Sequence, residues 1–196
     1  MTKQVFALCD YTHTSLIPWR EAGYECHAVD IRPALQRDDG IIHHQASILE
    51  LDFSAFDPCF CVAFPPCTHL AGSGAVWWKA KGQTALAEAL ELVFACRDAF
   101  DCPTIIENPV GRLPGHWRTP DTKVHPWEFS GYPGASNDNY TKATCLWLLR
   151  GAKPPMKRYF IGPDWEVDKT RIHHASSGAR DKTPIGLAWG IYEANK

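Results

Sequence analysis

Short apolar runs separated by turn-rich and amphipathic stretches make up this chain, and the spacing of the apolar positions changes from run to run. "QVFALC" (4–9) reads as a short buried strand. "TSLIPWREAG" (14–23) reads as a helix, with Ser and Thr near its start, an early proline, and Gly23 as the stop. "YECHAVD" is a second strand ending on Asp30, and "SILELDF" (47–53) a third. "CFCVAF" (59–64) is the most apolar strand of all. From Gln83 to Phe100, Leu86, Leu90, Val93 and Cys96 recur at helical spacing. "TIIE" (104–107) is another buried strand, with a turn at "NPVG". "TKATCLWLL" alternates Ala143, Cys145 and Trp147 as a strand does, and "TPIGLAWGIYEAN" predicts a closing helix from near Pro184.

Strand–helix alternation predicts an α/β fold, a three-layer sandwich whose mostly parallel sheet is covered on both faces. Sheets of this kind take their ligands beyond the carboxyl ends of the strands. Three strand ends then stand out: Asp30, the "PPC" loop ending on Cys67, and Glu107.

Composition narrows the class. At 196 residues and 45% hydrophobic, residues 1–196 fit a single domain with a proper core. No stretch approaches the apolar length of a membrane span, and "MTKQVFALCD" lacks the features of a secretion signal. Eight cysteines in such a chain read as thiols in a reducing compartment, so a cytoplasmic location is expected. The net charge of −2 conceals an asymmetry: residues 142–182 hold nine Lys/Arg against four Asp/Glu, the rest eleven against eighteen. A locally basic third suits a phosphate-bearing partner, or is simply a solvated face.

Cys67 follows two prolines, which restrict their own φ and the residue before them, so the loop holds one conformation at little entropic cost. A thiol presented this way is a candidate nucleophile; the plain alternative is a small buried apolar residue. Cys59 and Cys61 alternate within a strand and read as core. With Cys67 and His69 they lack the paired spacing of a structural zinc site, so no metal is assigned. Glu107 ends three apolar residues, where a carboxylate is costly unless it is used or paired. The Cys67 and Glu107 strands are joined by one helix and should lie side by side. Asp30 stands where a carboxylate commonly accepts the ribose hydroxyls of a nucleoside cofactor, or is an ordinary turn residue.

"FPPCTHLAGSGA" followed by "IIENPVG", together with "EAGYECHAVDI", resembles the DNA cytosine-5 methyltransferases. More narrowly, "LCDYT", "PWREAGYEC", "YTKATCLWL" and "TPIGLA" resemble short proteins of that type common in bacteriophage genomes. The resemblance covers nearly the whole chain. It implies a Rossmann-like methyltransferase fold, S-adenosylmethionine as cofactor, and cytosine in DNA, or a free cytosine nucleotide or single strand, as substrate. Cys67 would attack the ring and Glu107 would hold it, supported by Asn108 and the nearest cation, Lys142. The cofactor would meet Asp10, Tyr11, Thr12, Asp30, Ile31, Ser47 and Pro65. The base would meet Phe64, Pro66, His69 and Ser73.

The chain departs from the family pattern in three places. The first loop, "CDYTHTSL", has no glycine, and Asp10 and Thr12 are expected to substitute by side-chain hydrogen bonds. The acidic residue after the third strand falls on Ser47, or on Asp52 in a shifted alignment. The family's paired arginines beyond the Glu strand are missing. A target-recognition domain is absent or reduced to residues 151–180. There Lys153, Lys157, Arg158, Lys169 and Arg171 interleave with Tyr159, Phe160 and Trp165, a mixture suited to single strands or to a loop packed by its own aromatics. His173 and His174 are surface residues or phosphate contacts. Of Trp77 and Trp78, adjacent on a helix, one reads as core.

Overall fold

A computed structural model describes residues 2–35, 38–160, 162, 165–171 and 182–196. Seven strands form one sheet: β1 (Gln4–Leu8), β2 (Glu25–Asp30), β3 (Ile42–Gln45), β4 (Phe60–Ala63), β5 (Thr104–Pro109), β6 (Thr122–Val124) and β7 (Thr144–Leu149). Their spatial order is β3-β2-β1-β4-β5-β7-β6. β1 to β5 run parallel, and β7 lies antiparallel between β5 and β6.

β4 explains the continuous apolar run. Flanked by β1 and β5, it buries Phe60, Cys61, Val62 and Ala63 completely, because both faces are covered. Helix α2 (Trp78–Asp98) lies on one face and buries Leu86, Val93 and Cys96 against Phe6, Leu8 and Ile106. On the other face, α1 (Ile17–Glu21) and α3 (Ile185–Asn195) enclose Val5, Ala7 and Val62. Trp19 of α1 stacks on Phe60 at 4.9 Å, edged by Tyr24 and Tyr192. Burying one such side chain contributes roughly 5 kcal/mol at ~25 cal/mol per Å2 over ~200 Å2. Gly23, at φ 86°, ends α1 as expected. The expected α/β sandwich with a mostly parallel sheet is present.

Three local expectations need correction. "SILELDF" is not a strand. Ser47 opens a turn there, its carbonyl accepting from the amides of Glu50 and Leu51, while Leu51 and Phe53 pack on the core. The strand is the preceding "IHHQ", an edge strand polar enough to hide. Cys59 is exposed rather than core, because the sheet begins at Phe60. β5 also runs on through Pro109, which pairs with Thr144, so the turn starts two residues later, at Val110. The helix expected from Gln83 does begin there: Gly82 breaks α2 at φ 77°, ψ −177°, a conformation open essentially to glycine alone. Among the described residues no helix is long and apolar enough to cross a membrane.

The parallel strands direct their carboxyl ends to one edge. The order of connections reverses between β1 and β4, leaving the crevice where such sheets bind ligands.

Candidate active site

β4 ends at Ala63, opposite Ile106, while β5 runs on beside it through Pro109, paired with β7. Beyond Ala63, Phe64 is half-buried, Pro65 buried, Pro66 exposed and Cys67 half-buried. The loop is sewn to the segment after β5. Asn108 Nδ2 donates to the Pro65 carbonyl at 2.9 Å. The Gly72 amide donates to the Val110 carbonyl at 2.8 Å and the Arg112 amide to the Leu70 carbonyl at 2.9 Å. Arg112 Nε reaches the His69 carbonyl at 2.8 Å, and Lys81 Nζ the Thr68 carbonyl at 2.9 Å. The Cys67 carbonyl itself accepts from the Leu70 and Ala71 amides, closing a tight turn. Prolines stiffen the chain before Cys67, and these bonds fix the residues after it.

Glu107 is half-buried at the end of the neighbouring strand. Burial raises its pKa above the ordinary value of 4.5; the Lys142 ammonium and a hydrogen bond from the Thr144 hydroxyl act in the opposite direction. Thr144 lies on β7, two positions from Glu107's partner Leu146, and so faces the same side. Asn108 is wholly buried; its amide ties the two loops, and its Oδ1 has no hydrogen-bond partner among the described residues.

On the other side of the crevice, the turn after β1 is built without glycine. Cys9 and His13 adopt left-handed φ values of 59° and 61°. The Asp10 carboxylate holds the turn between them. Oδ1 accepts from the amides of Thr12 (2.9 Å) and His13 (3.1 Å) and from the Thr12 hydroxyl (2.6 Å), while Oδ2 takes the Ser15 hydroxyl at 2.5 Å. Asp10 and Thr12 are both buried, so their side chains are committed to the loop. Asp30, 5% exposed, closes β2. Arg32 forks onto it, Nε to Oδ1 at 3.0 Å and Nη2 to Oδ2 at 3.2 Å, with the Arg32 amide also on Oδ1 at 2.8 Å. The Arg32 guanidinium lies 3.7 Å from the centre of the Tyr11 ring. Ile31 is exposed, and Ser47 follows β3 by two residues. Asp52 sits further on in an exposed turn with Ser54. A buried carboxylate ending β2 and a tight turn ending β1 suit a nucleoside cofactor at this switch point.

Sequence reasoning singled out Asp30, Cys67 and Glu107 as strand-end residues, and the sheet places β2, β4 and β5 parallel with these residues at, near or beyond their carboxyl ends. It missed Thr144, Lys81, Arg112 and Arg32. The Lys142/Thr144 spacing of two and the Asp30/Arg32 spacing of two were the available signals; Lys81 and Arg112 act across longer sequence separations. His69 is half-buried, its carbonyl held by Arg112 and its Nδ1 without a hydrogen-bond partner among the described residues. Ser73 is exposed at the start of a 3-10 turn, Gly72–Trp77. Trp77 is exposed, whereas Trp78 is half-buried under the Arg112 guanidinium, 4.8 Å from its ring centre.

The segment that follows Gly151 runs alongside residues 128–131. Gly131 N–H donates to the Arg158 carbonyl, and Arg158 N–H to the Glu128 carbonyl. Tyr159 and Trp165 both pack on Trp127, so the segment is partly held by its own aromatics. Lys157 pairs with Glu128, and Arg171 lies over Tyr140. Met156, Tyr159 and Phe160 keep about half their surface exposed. His173, His174 and Arg180 lie outside the described residues.

No family model matches this chain, and no curated protein does. One solved structure that it resembles is described as a candidate DNA modification methyltransferase encoded within a prophage (E. coli). The match has a TM-score of 0.50 at 14% identity, over 75% of this chain and 46% of that one. The chain therefore shares that protein's fold while spanning less than half its length.

Proposed function

We propose that this chain is a cytosine-5 methyltransferase that acts on DNA with S-adenosylmethionine. The observation that carries the reading is the joined pair of loops: a stiff turn presenting Cys67, hydrogen-bonded to the segment that presents Glu107 with a raised pKa. A nucleophile beside a proton donor at the end of a parallel sheet suits covalent attack on an electron-poor ring.

Cys67 Sγ bonds to carbon 6 of the cytosine ring. Glu107, inclined by burial to keep its proton, donates to ring nitrogen 3 as negative charge develops there and accepts from the exocyclic amine. Lys142 and Thr144 hold the Glu107 carboxyl in place. Carbon 5 becomes nucleophilic. S-adenosylmethionine, when bound, supplies the electrophilic methyl group for it. Loss of the carbon 5 proton and expulsion of the Cys67 thiolate restore the aromatic ring. Asp30 holds the cofactor ribose and the Asp10 turn brings backbone to the crevice. A base within a duplex must first leave the stack. The short 151–160 segment, with exposed Met156, Tyr159 and Phe160, supports a variant of the reading in which the substrate is a single strand or free nucleotide.

The test is transfer of labelled methyl from S-adenosylmethionine to duplex DNA, single-stranded DNA and dCMP, with Cys67→Ala and Glu107→Gln alongside. Label on one substrate, lost in both variants, establishes the chemistry and selects the substrate. No label on any, with no cofactor binding, leaves a methyltransferase fold used for binding alone.

A further inference from the structure

Asp30 is assigned to the cofactor ribose, yet both of its carboxylate oxygens already carry a guanidinium. Arg32 Nε and Nη2 engage Oδ1 and Oδ2 at 3.0 and 3.2 Å in the fork geometry that fills one edge of a carboxylate. The same guanidinium covers the Tyr11 ring at 3.7 Å. One side chain therefore occupies two of the contacts expected for the cofactor. Its backbone is held as well: His43 Nε2 lies 2.9 Å from the Arg32 carbonyl. His43 is in turn linked to His13, at 3.0 Å, and His13 to Asp39, at 2.7 Å. Arg32 is thus planted at its main chain, while its side chain is about half exposed.

A vicinal diol binds a carboxylate by donating two hydrogen bonds to its two oxygens, which are the positions Arg32 holds. We infer that Arg32 sets the affinity of this protein for its cofactor, because the ribose diol enters by displacing the Arg32 guanidinium from Asp30. The inference rests on the methyltransferase reading and adds to it a residue specific to this chain. Arg32 lowers the fraction of molecules with a competent Asp30, and apparent affinity falls by that fraction.

Removing the guanidinium frees Asp30 at once. Arg32→Ala should bind S-adenosylhomocysteine and adenosine about two- to sixfold more tightly than the natural protein, the range expected for a partly exposed ion pair. It should gain nothing for 2′,3′-dideoxyadenosine, which has no diol. Screening gives a second readout. Raising salt from about 0.05 to 0.5 M should tighten S-adenosylhomocysteine binding to the natural protein and leave Arg32→Ala unchanged.

Titration calorimetry on the full chain measures all of these, with thermal melting to show that the variant is folded. Equal or weaker diol binding by a folded Arg32→Ala overturns the inference and leaves the cofactor reading standing. An equal gain for the dideoxy compound also overturns it, since the competition is then not for Asp30. If neither protein binds S-adenosylhomocysteine or adenosine, both the inference and the cofactor reading fall. Binding by Arg32→Ala alone supports both.

Discussion

Gly111 is where the two candidate catalytic loops approach most closely, and replacing it with alanine tests whether that approach matters. A Cβ at Gly111 would sit 1.9 Å from the Leu70 carbonyl oxygen and 2.8 Å from its carbon, where real Cβ contacts stay beyond 3.0 Å. Both atoms belong to backbone, so no side chain can swing away. The loops must part by about 1 Å, and misplacement on that scale costs on the order of 100-fold in rate. Separation also breaks or stretches the Gly72–Val110 and Arg112–Leu70 backbone bonds. At ~1 kcal/mol net for each bond, with some lost packing, the loss is about 2–3 kcal/mol, or roughly 4–12 °C in Tm for a domain of this size. Gly115→Ala, four residues on, meets nothing within 4 Å and serves as the control. Methyl transfer at 25 °C, where Gly111→Ala remains folded, should fall about 100-fold while Gly115→Ala keeps full activity. A Gly111→Ala protein with native Tm and native rate would refute the claim that this contact sets the position of Cys67.

Glu107→Gln removes a carboxyl whose folded-state pKa is raised, chiefly by burial. The ionised form therefore opposes folding, and the native protein loses stability as pH rises through that raised pKa. The advantage of Glu107→Gln in thermal melting should grow between about pH 4 and pH 8, while its methyl transfer falls at least ~100-fold; a difference that is flat or shrinks with pH contradicts the assignment. Asp10→Ala removes the acceptor of four hydrogen bonds and leaves Cys9 and His13 in left-handed backbone without support. It should lose about 2–4 kcal/mol, with Asp10→Asn intermediate. Denaturant unfolding measures this, and an unchanged midpoint would show that the turn does not depend on the carboxylate.

The parts of the fold that could be read from sequence are those whose burial is complete. β1, β4 and the start of β5 carry apolar runs because helices or packed loops cover both faces of a parallel sheet, and β2 buries Cys26, Ala28 and Val29 in the same way. β3 escapes such a reading because an edge strand is under no such demand. Its "IHHQ" is polar, and the apolar alternation of "SILELDF" comes from a turn that packs Leu51 and Phe53 inward. β6, with three residues, is too short for any period to show. Cys67, Glu107 and Asp30 could be found because strand ends are few and each carries a residue that is costly or reactive where it stands. Arg112 and Lys81 could not. Their roles come from hydrogen bonds to backbone carbonyls, which leave no mark in residue type.

At the places where the sequence differs from the cytosine-5 methyltransferases it resembles, other side chains of this chain supply hydrogen bonds and charge. A glycine-rich first loop permits left-handed backbone at no steric cost. Here Cys9 and His13 take that backbone at about 1–3 kcal/mol each, and the strain persists because Asp10 fixes Thr12, His13 and Ser15 around it. In the same way, no arginine pair follows the Glu strand, yet Thr144 at the start of the neighbouring strand β7 and Lys142 just before it both bear on Glu107. Only one of that pair is charged, and burial wins: the Glu107 pKa stays above its ordinary value. Two arginines there would pull it down and favour the carboxylate. Replacing Thr144 with arginine should therefore lower the Glu107 pKa and move the alkaline limb of methyl transfer to lower pH. A limb that stays in place would mean that Glu107 is not the group whose proton the reaction uses.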